Sequence, residues 1–280
     1  MSRVAVVTGA ARGIGAATVR ALAAAGWSVV AVDRGTDDPR LPYPMGTASQ
    51  LAAVVASALA APGPSGDLED HRDDRDDRDD RVVAHIADTT DPEGLGAAVA
   101  LAESRFGGLD AMVAVAGVIA GGVPLWEMPA DQLGAVLDVD LGGPITAARV
   151  GIPALLRRPE PRQGRFVAVA SAAATRGLPR LAAYGAAKAG VAGLIRGLAA
   201  ELAGTGVTAN AVSPGSTATA MLTESARLYG LDDTGPFAAQ QAVGRLLTPG
   251  EVATALVWLA GEDSGALTGA VIPVDGGLSL

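Results

Sequence analysis

Short unbroken runs of Val and Ala alternate along this chain with longer segments whose apolar residues recur every three or four positions. The first pattern suits strands buried on both faces, the second helices laid over them. The first strand, VAVV after Arg3, runs into a glycine turn and a helix from Ile14 to Ala25. Further strands are expected at Ser28–Val32, Val82–Ala87, Ala111–Ala116, Phe166–Ala170, Val207–Val212 and Ala270–Val274. Helices are expected at Thr47–Leu59, at Asp91–Phe106 opened by Asp-Pro-Glu, in an alanine-rich segment carrying Tyr184 and Lys188, and at Thr248–Ala260. Strand and helix alternate from end to end, which predicts one doubly wound α/β domain over residues 1–280 with a parallel sheet of about seven strands.

Two stretches break the alternation. Residues 35–81 are too long for an ordinary crossover and read as an insertion. It holds a proline-rich loop, the helix at Thr47–Leu59 and the repeat HRDDRDDRDDR at His71–Arg81. That repeat is either a solvated charge run or a partner or metal surface. Residues 216–247 mix polarity with Gly230 and Gly235, as a mobile lid would. Within it Met221, Leu222, Leu228, Tyr229 and Phe237 offer an apolar surface for a bulky substrate, or simply pack the lid.

Composition narrows the class. Apolar residues make up 49% of the chain and aromatics only 3%, so close packing rests on small aliphatic side chains. With no cysteine there is no disulfide, thiolate zinc site or cysteine nucleophile. A net charge of −9 with two His argues against a nucleic-acid surface. No apolar run is long enough to span a membrane. The start, MSRVAVVTGA, enters a strand at once, and a soluble cytoplasmic protein is expected.

Strand, TGAARGIG turn and helix, in that order, make a cradle whose N–H groups and positive helix end face a pyrophosphate. Gly9, Gly13 and Gly15 permit the tight turn and close ligand approach. Asp33 stands at the tip of the second strand, where a carboxylate accepts both ribose hydroxyls of an adenosine and repels a 2′-phosphate. This favours NAD over NADP, although Arg12 and Arg34 are guanidinium groups that could bind a phosphate. Tyr184 and Lys188, four apart, share one helix face, where an ammonium favours the phenolate. Tyr184 is thereby a candidate general acid/base, and Ser171, ending a strand, a candidate holder of a substrate oxygen. The bland alternative is a solvated helix face and an ordinary strand end.

The glycine loop, Asp33, Ser171, Tyr184 and Lys188 together resemble the short-chain dehydrogenase/reductase family, with Asp88, Gly117, Pro214-Gly215 and the VDGG at 274–277 as further marks. The resemblance implies that Ile14 joins the glycine loop at the cofactor. It implies that Asp88 and Thr89 meet adenine, that Ala116 and Gly117 approach the cofactor closely, and that Pro214, Gly215, Thr217 and Thr219 hold the nicotinamide side or the phosphates. The sequence departs from the family at AVAG, where NNAG is usual, and at Asp140 in LDVDLGG, where an Asn is usual. Asp140 either serves the proton relay through Lys188 or only marks a helix boundary. Trp126 lines a pocket or covers the core.

The implied activity is hydride exchange between NAD and a secondary alcohol or ketone, without a metal, with Lys188 lowering the Tyr184 pKa and fixing the nicotinamide ribose. The family resemblance also implies a homotetramer built partly through the tyrosine helix, at Gly185, Ala186, Ala189, Gly190 and Gly193. The run DRGTDDPRLPYP from Asp33 resembles the mycofactocin-associated subfamily. That implies an NAD which does not exchange between turnovers and electrons leaving through mycofactocin; the alternative is a surface insertion on an ordinary dehydrogenase with freely exchanging NAD(P). A non-enzymatic NAD-binding regulator is the remaining alternative, motivated by the missing NNAG side chains and Asp140.

Overall fold

The computed structural model describes residues 2–60 and 81–280. Seven parallel strands form one sheet in the order β3-β2-β1-β4-β5-β6-β7. They are β1 Val4–Thr8, β2 Ser28–Asp33, β3 Val82–Ile86, β4 Ala111–Ala114, β5 Arg165–Val169, β6 Thr208–Pro214 and β7 Val271–Val274. Every residue of β1, β4 and β5 is buried, as unbroken Val/Ala runs require when helices cover both sheet faces. The chain order reverses between β1 and β4, and a doubly wound sheet opens its ligand crevice at that switch, beyond the strands' carboxyl ends.

The helices are α1 Gly13–Ala24, α2 Ala48–Ala60, α3 Pro92–Phe106, α4 Ala130–Leu137, α5 Gly143–Arg157, α6 Ala182–Glu201, α7 Ala220–Tyr229, the single turn α8 Gly235–Ala238, and α9 Pro249–Ala260. Local chemistry sets their ends. Asp91 accepts from the Glu93 N–H at the start of α3, Pro92 follows, and Gly107 closes it at φ 83°. Thr248 and Glu251 form a reciprocal capping box on α9. One apolar layer joins β1, β4 and β5 to α3, α5 and α6; the other packs α1, α2 and α9 on the opposite face.

Three expectations change. β3 and β4 stop at Ile86 and Ala114, earlier than the apolar runs suggested, because the chain there leaves the sheet for the crevice. The segment LDVDLGG does not continue one α-helix: Asp138–Gly142 form a π-turn between α4 and α5, directly before Gly143 and Pro144. Pro144 has no N–H to give an α ladder, so a local widening there is natural. Trp126, in a 3-10 turn at Leu125–Glu127, is 84% exposed: it does not cover the core and is not part of the crevice lining. The charged repeat falls, apart from Arg81, outside the described residues. Among the described residues no helix is long and apolar enough to cross a membrane.

Candidate active site

A cleft of about 630 Å3 runs over the carboxyl ends of β1, β2, β4, β5 and β6. Its first wall is the glycine turn, where Gly9 and Gly13 have φ of 68° and 57°, values that L side chains rarely adopt. Contacts are just as restrictive: a Cβ on Gly9 would stand 2.7 Å from the Ala116 Cα, and one on Gly15 would run into the Gly9 carbonyl oxygen. Thr219 caps α7 by accepting from the Leu222 N–H, and its methyl faces Gly13 across the mouth of the cradle. An elongated diphosphate-bridged cofactor fits this shape, with bare backbone N–H groups and the α1 N-terminus at its middle.

At one end stands Asp33. Its Oδ2 accepts from the Ala11 N–H at 2.9 Å and its Oδ1 from the Gly35 N–H at 3.2 Å, which fixes the carboxylate at the cleft wall. Asp88, Thr89, Ile14, Arg12 and Arg34 line the same region. Asp88 turns one oxygen to the Thr90 N–H and hydroxyl and the other to Arg34 Nε. The insertion continues the wall: Asp38 and Gly46 stand at this end, and Tyr43 and Met45 pack toward the apolar cluster that holds Tyr184. Tyr43 is held there by the Ile119 N–H, which donates to its hydroxyl at 2.8 Å, and Arg12 donates to the Pro44 carbonyl at 2.9 Å.

At the other end the structure brings Ser171, Tyr184 and Lys188 together on the cleft wall, although twelve residues separate Ser171 from the tyrosine. Ser171 follows β5 by two residues and accepts from the Ala173 N–H at 3.1 Å, so its hydroxyl is pinned beside the phenol. Lys188 is 2% exposed; its Nζ lies 5.8 Å from the Tyr184 ring centroid and donates to the Val169 carbonyl at 3.1 Å. Asp140 is fully buried and its Oδ1 is 3.1 Å from Lys188 Nζ, while the Val118 N–H donates to the same oxygen at 3.2 Å. Its Oδ2 is buried without a partner. Asp140 is therefore more than a helix boundary: the π-turn aims it at the lysine.

Burial pushes the Tyr184 phenol above its ordinary pKa; the Lys188 ammonium pulls it back, the Asp140 charge raises it again, and the Ser171 hydroxyl lowers it. The expected lowering by Lys188 is present but is outweighed by burial in a water-poor pocket. Burial works against the charge on Lys188, yet Asp140 beside it keeps its pKa above the ordinary lysine value. Burial also drives Asp140 upward against the pull of Lys188. Proton abstraction by this phenol would need the phenolate, so its rate is expected to rise with pH into the alkaline range. Asp140→Asn removes the charge that raises the phenol, and with Lys188 still an ammonium the alkaline limb is expected to move to lower pH. Ultraviolet titration of the phenol in the wild-type and Asp140→Asn proteins checks this; an unmoved midpoint means that the Asp140 charge does not set the Tyr184 pKa.

Several contacts were not foreseen. The Thr8 hydroxyl accepts from the N–H groups of Val115 and Ala116 at 3.1 and 3.2 Å, tying β1 to the chain beyond β4 where the Asn side chains of NNAG are missing. Thr8 precedes Gly9 directly, and that adjacency was the available signal. Pro214 and Gly215 line the cleft at the end of β6, and a Cβ on Gly215 would meet Gln241 Oε1 and the Asp275 carbonyl. Thr217 donates to the Gly215 carbonyl at 3.1 Å, holding the turn. Gly117 cannot carry a Cβ either, since Asp140 Oδ1 would be 2.8 Å away. Met221, Leu222, Tyr229 and Phe237 line the cleft as expected, with Tyr229 and Phe237 packed edge to face, whereas Leu228 packs away toward Gly122. The Tyr229 hydroxyl donates to the Pro179 carbonyl, joining α7 to the loop after Ser171.

Residues 45–279 match the family described as enoyl-(acyl carrier protein) reductase, and residues 3–62 match the family described as short chain dehydrogenase. The chain is 36% identical over 279 residues to a cis-4-hydroxycyclohexanecarboxylate dehydrogenase from Sinomonas cyclohexanicum, covering 98% of this chain and 96% of that protein. It is 32% identical over 289 residues to a (-)-trans-carveol dehydrogenase from Rhodococcus erythropolis, covering 99% and 98%. Among solved structures it resembles a carveol dehydrogenase from Mycobacterium avium in complex with NAD, with a TM-score of 0.86, 29% identity, and coverage of 99% of this chain and 97% of that one.

Proposed function

The chain belongs to the short-chain dehydrogenase/reductase family and is an NAD-dependent oxidoreductase acting on alcohols, and from that premise we propose that Ser171, Tyr184 and Lys188 oxidise a cyclic secondary alcohol on a retained NAD. The observation that carries the catalytic part is the convergence of Ser171, Tyr184 and Lys188 on one cleft wall, with Asp140 buried behind it and paired to the lysine. Ser171 orients the substrate oxygen. Tyr184, as phenolate, takes the hydroxyl proton, and Lys188 stabilises that phenolate and positions the ribose next to it. The nicotinamide, when bound, supplies the hydride acceptor. The glycine turn and the start of α7 hold the diphosphate, Asp33 the adenosine ribose, and Pro214 to Thr219 the nicotinamide side. Carveol and hydroxycyclohexanecarboxylate, on which the relatives act, are both ring alcohols, and the apolar wall from Met221 to Phe237 suits a ring.

Retention of NAD is argued from the insertion. Gly46 stands against Asp33 at the adenosine end, Tyr43 and Met45 cover the cleft from there toward Tyr184, and the hydrogen bond from Ile119 and the Arg12 bridge fasten them. A cofactor enclosed in this way leaves slowly, and its electrons pass to an external carrier, which we identify with mycofactocin. The protein as purified is expected to carry near-equimolar NAD by mass and absorbance, and to turn over repeatedly only with an artificial carrier. An empty protein that turns over rapidly on added NAD would be an ordinary exchanging dehydrogenase. For assembly, we assign a homotetramer using the outward face of α6, where Ala186, Ala189 and Gly193 are exposed. Gly185 and Gly190 are not part of that face, since their Cβ positions point at Ala173 and Leu141 of their own chain.

A further inference from the structure

Arg12 and Arg34 flank the Asp33 carboxylate, and a free guanidinium in either place would welcome a phosphate. In the folded chain both are engaged. Arg34 Nη1 lies 2.8 Å from Asp38 Oδ2, and its Nε lies 3.3 Å from Asp88 Oδ2. Arg12 Nη1 donates to the Pro44 carbonyl, while its Nη2 faces the Met45 sulfur at 4.0 Å. Asp38, Pro44 and Met45 all lie in the insertion. Asp38 is itself locked, 2% exposed and accepting from the Arg40 N–H and Nε at 3.0 Å and from Nη2 at 2.9 Å. Arg40 in turn reaches Asp138 in the π-turn at 2.7 Å. These contacts form one alternating chain, Asp88, Arg34, Asp38, Arg40 and Asp138, across the adenosine end of the cleft. The backbone completes it: a Cβ on Gly46 would stand 3.0 Å from Asp33 Oδ1, so the insertion occupies the space next to that carboxylate.

We infer that the insertion is a cofactor-selecting element: Asp38 and the Pro44 carbonyl hold Arg34 and Arg12 away from any 2′-phosphate, and Gly46 fills the space beside Asp33. Asp33 alone would repel a phosphorylated ribose, but two neighbouring guanidinium groups could offset that repulsion. Asp38 is a positioning residue here, acting through Arg34. The inference rests on the cofactor site proposed above and is independent of whether NAD is retained between turnovers.

The test is competitive loading. Wild type and Asp38→Asn are dialysed against equal isotope-labelled NAD and NADP until the bound label is constant, and the bound nucleotides are then released and quantified. The rate of label uptake reports exchange, whereas the final ratio reports selection, so failure of the retention reading is seen separately. Asp38→Asn is expected to shift the NADP:NAD ratio toward NADP by about tenfold. Adding Arg34→Ala to it is expected to return the wild-type ratio, and Asp38→Glu to leave the ratio near wild type. An unchanged ratio in folded Asp38→Asn overturns the inference. So does a shift that survives Arg34→Ala, because the gain would then come from a looser loop. If Asp38→Asn does not fold, Asp88→Asn, at the other side of the same guanidinium, is read in its place.

Discussion

Tyr184→Phe is expected to lower the rate of alcohol-dependent reduction of bound NAD by about 10^2- to 10^4-fold, the range that a positioned general acid/base supplies. The substitution removes one oxygen and leaves the ring, which is 8% exposed and packed with Ala183, Ala187 and Leu181 beneath the cleft. Ser171 loses the phenol oxygen as an acceptor but lines the open cleft, where water can take its proton, and it keeps its bond from Ala173, while Lys188 keeps Asp140 and Val169. The melting temperature and NAD content should therefore stay near wild type, so the loss is read as chemistry. Substantial turnover in this variant would require another group to take the proton.

Lys188→Met is expected to have the largest effect on stability. It leaves the Asp140 carboxylate fully buried, with Oδ2 already without a partner, and removes the only cation in contact with Asp140 among the described residues. Breaking one side of a buried ion pair in this way costs about 3–5 kcal/mol, more than the pair contributes when intact. The deficit should depend on pH with a definite sign. Burial raises the Asp140 pKa in the folded state, so the folded protein binds a proton there more readily than the unfolded chain does. The Lys188→Met protein is accordingly least impaired at acid pH and loses stability as pH rises through the folded pKa. Adding Asp140→Asn should recover most of the loss at neutral pH. Denaturant unfolding of the single and double variants at two pH values measures this, and a single variant as stable as wild type would mean that Asp140 is protonated in the native protein.

The strands, the glycine turn and the Tyr184–Lys188 pair were legible because each is set by local sequence: unbroken apolar runs for strands buried on both faces, and a spacing of four for residues stacked on one helix face, although the ends of β3 and β4 were not. Asp33 was legible as the residue that ends a buried strand. What escaped is long-range. Arg40 and Asp138 are 98 residues apart and Thr8 and Ala116 are 108 apart, and no local pattern announces either contact. The role of Asp140 was open for a related reason: whether a carboxylate marks a helix boundary or is turned inward depends on the π-turn, which a repeat of three or four residues does not reveal. The balance of forces on Tyr184 also required the fold, since the neighbouring lysine was visible in the sequence and the depth of burial was not.

The most direct test is a single-turnover experiment, in which the protein as purified is mixed with cyclic secondary alcohols and the nicotinamide absorbance is followed in the near ultraviolet. Reduced nicotinamide is expected to appear in the wild-type protein without added cofactor, and to be nearly absent in Tyr184→Phe carrying the same amount of NAD. Equal rates in the two proteins would contradict the assignment of Tyr184 as the group that takes the proton.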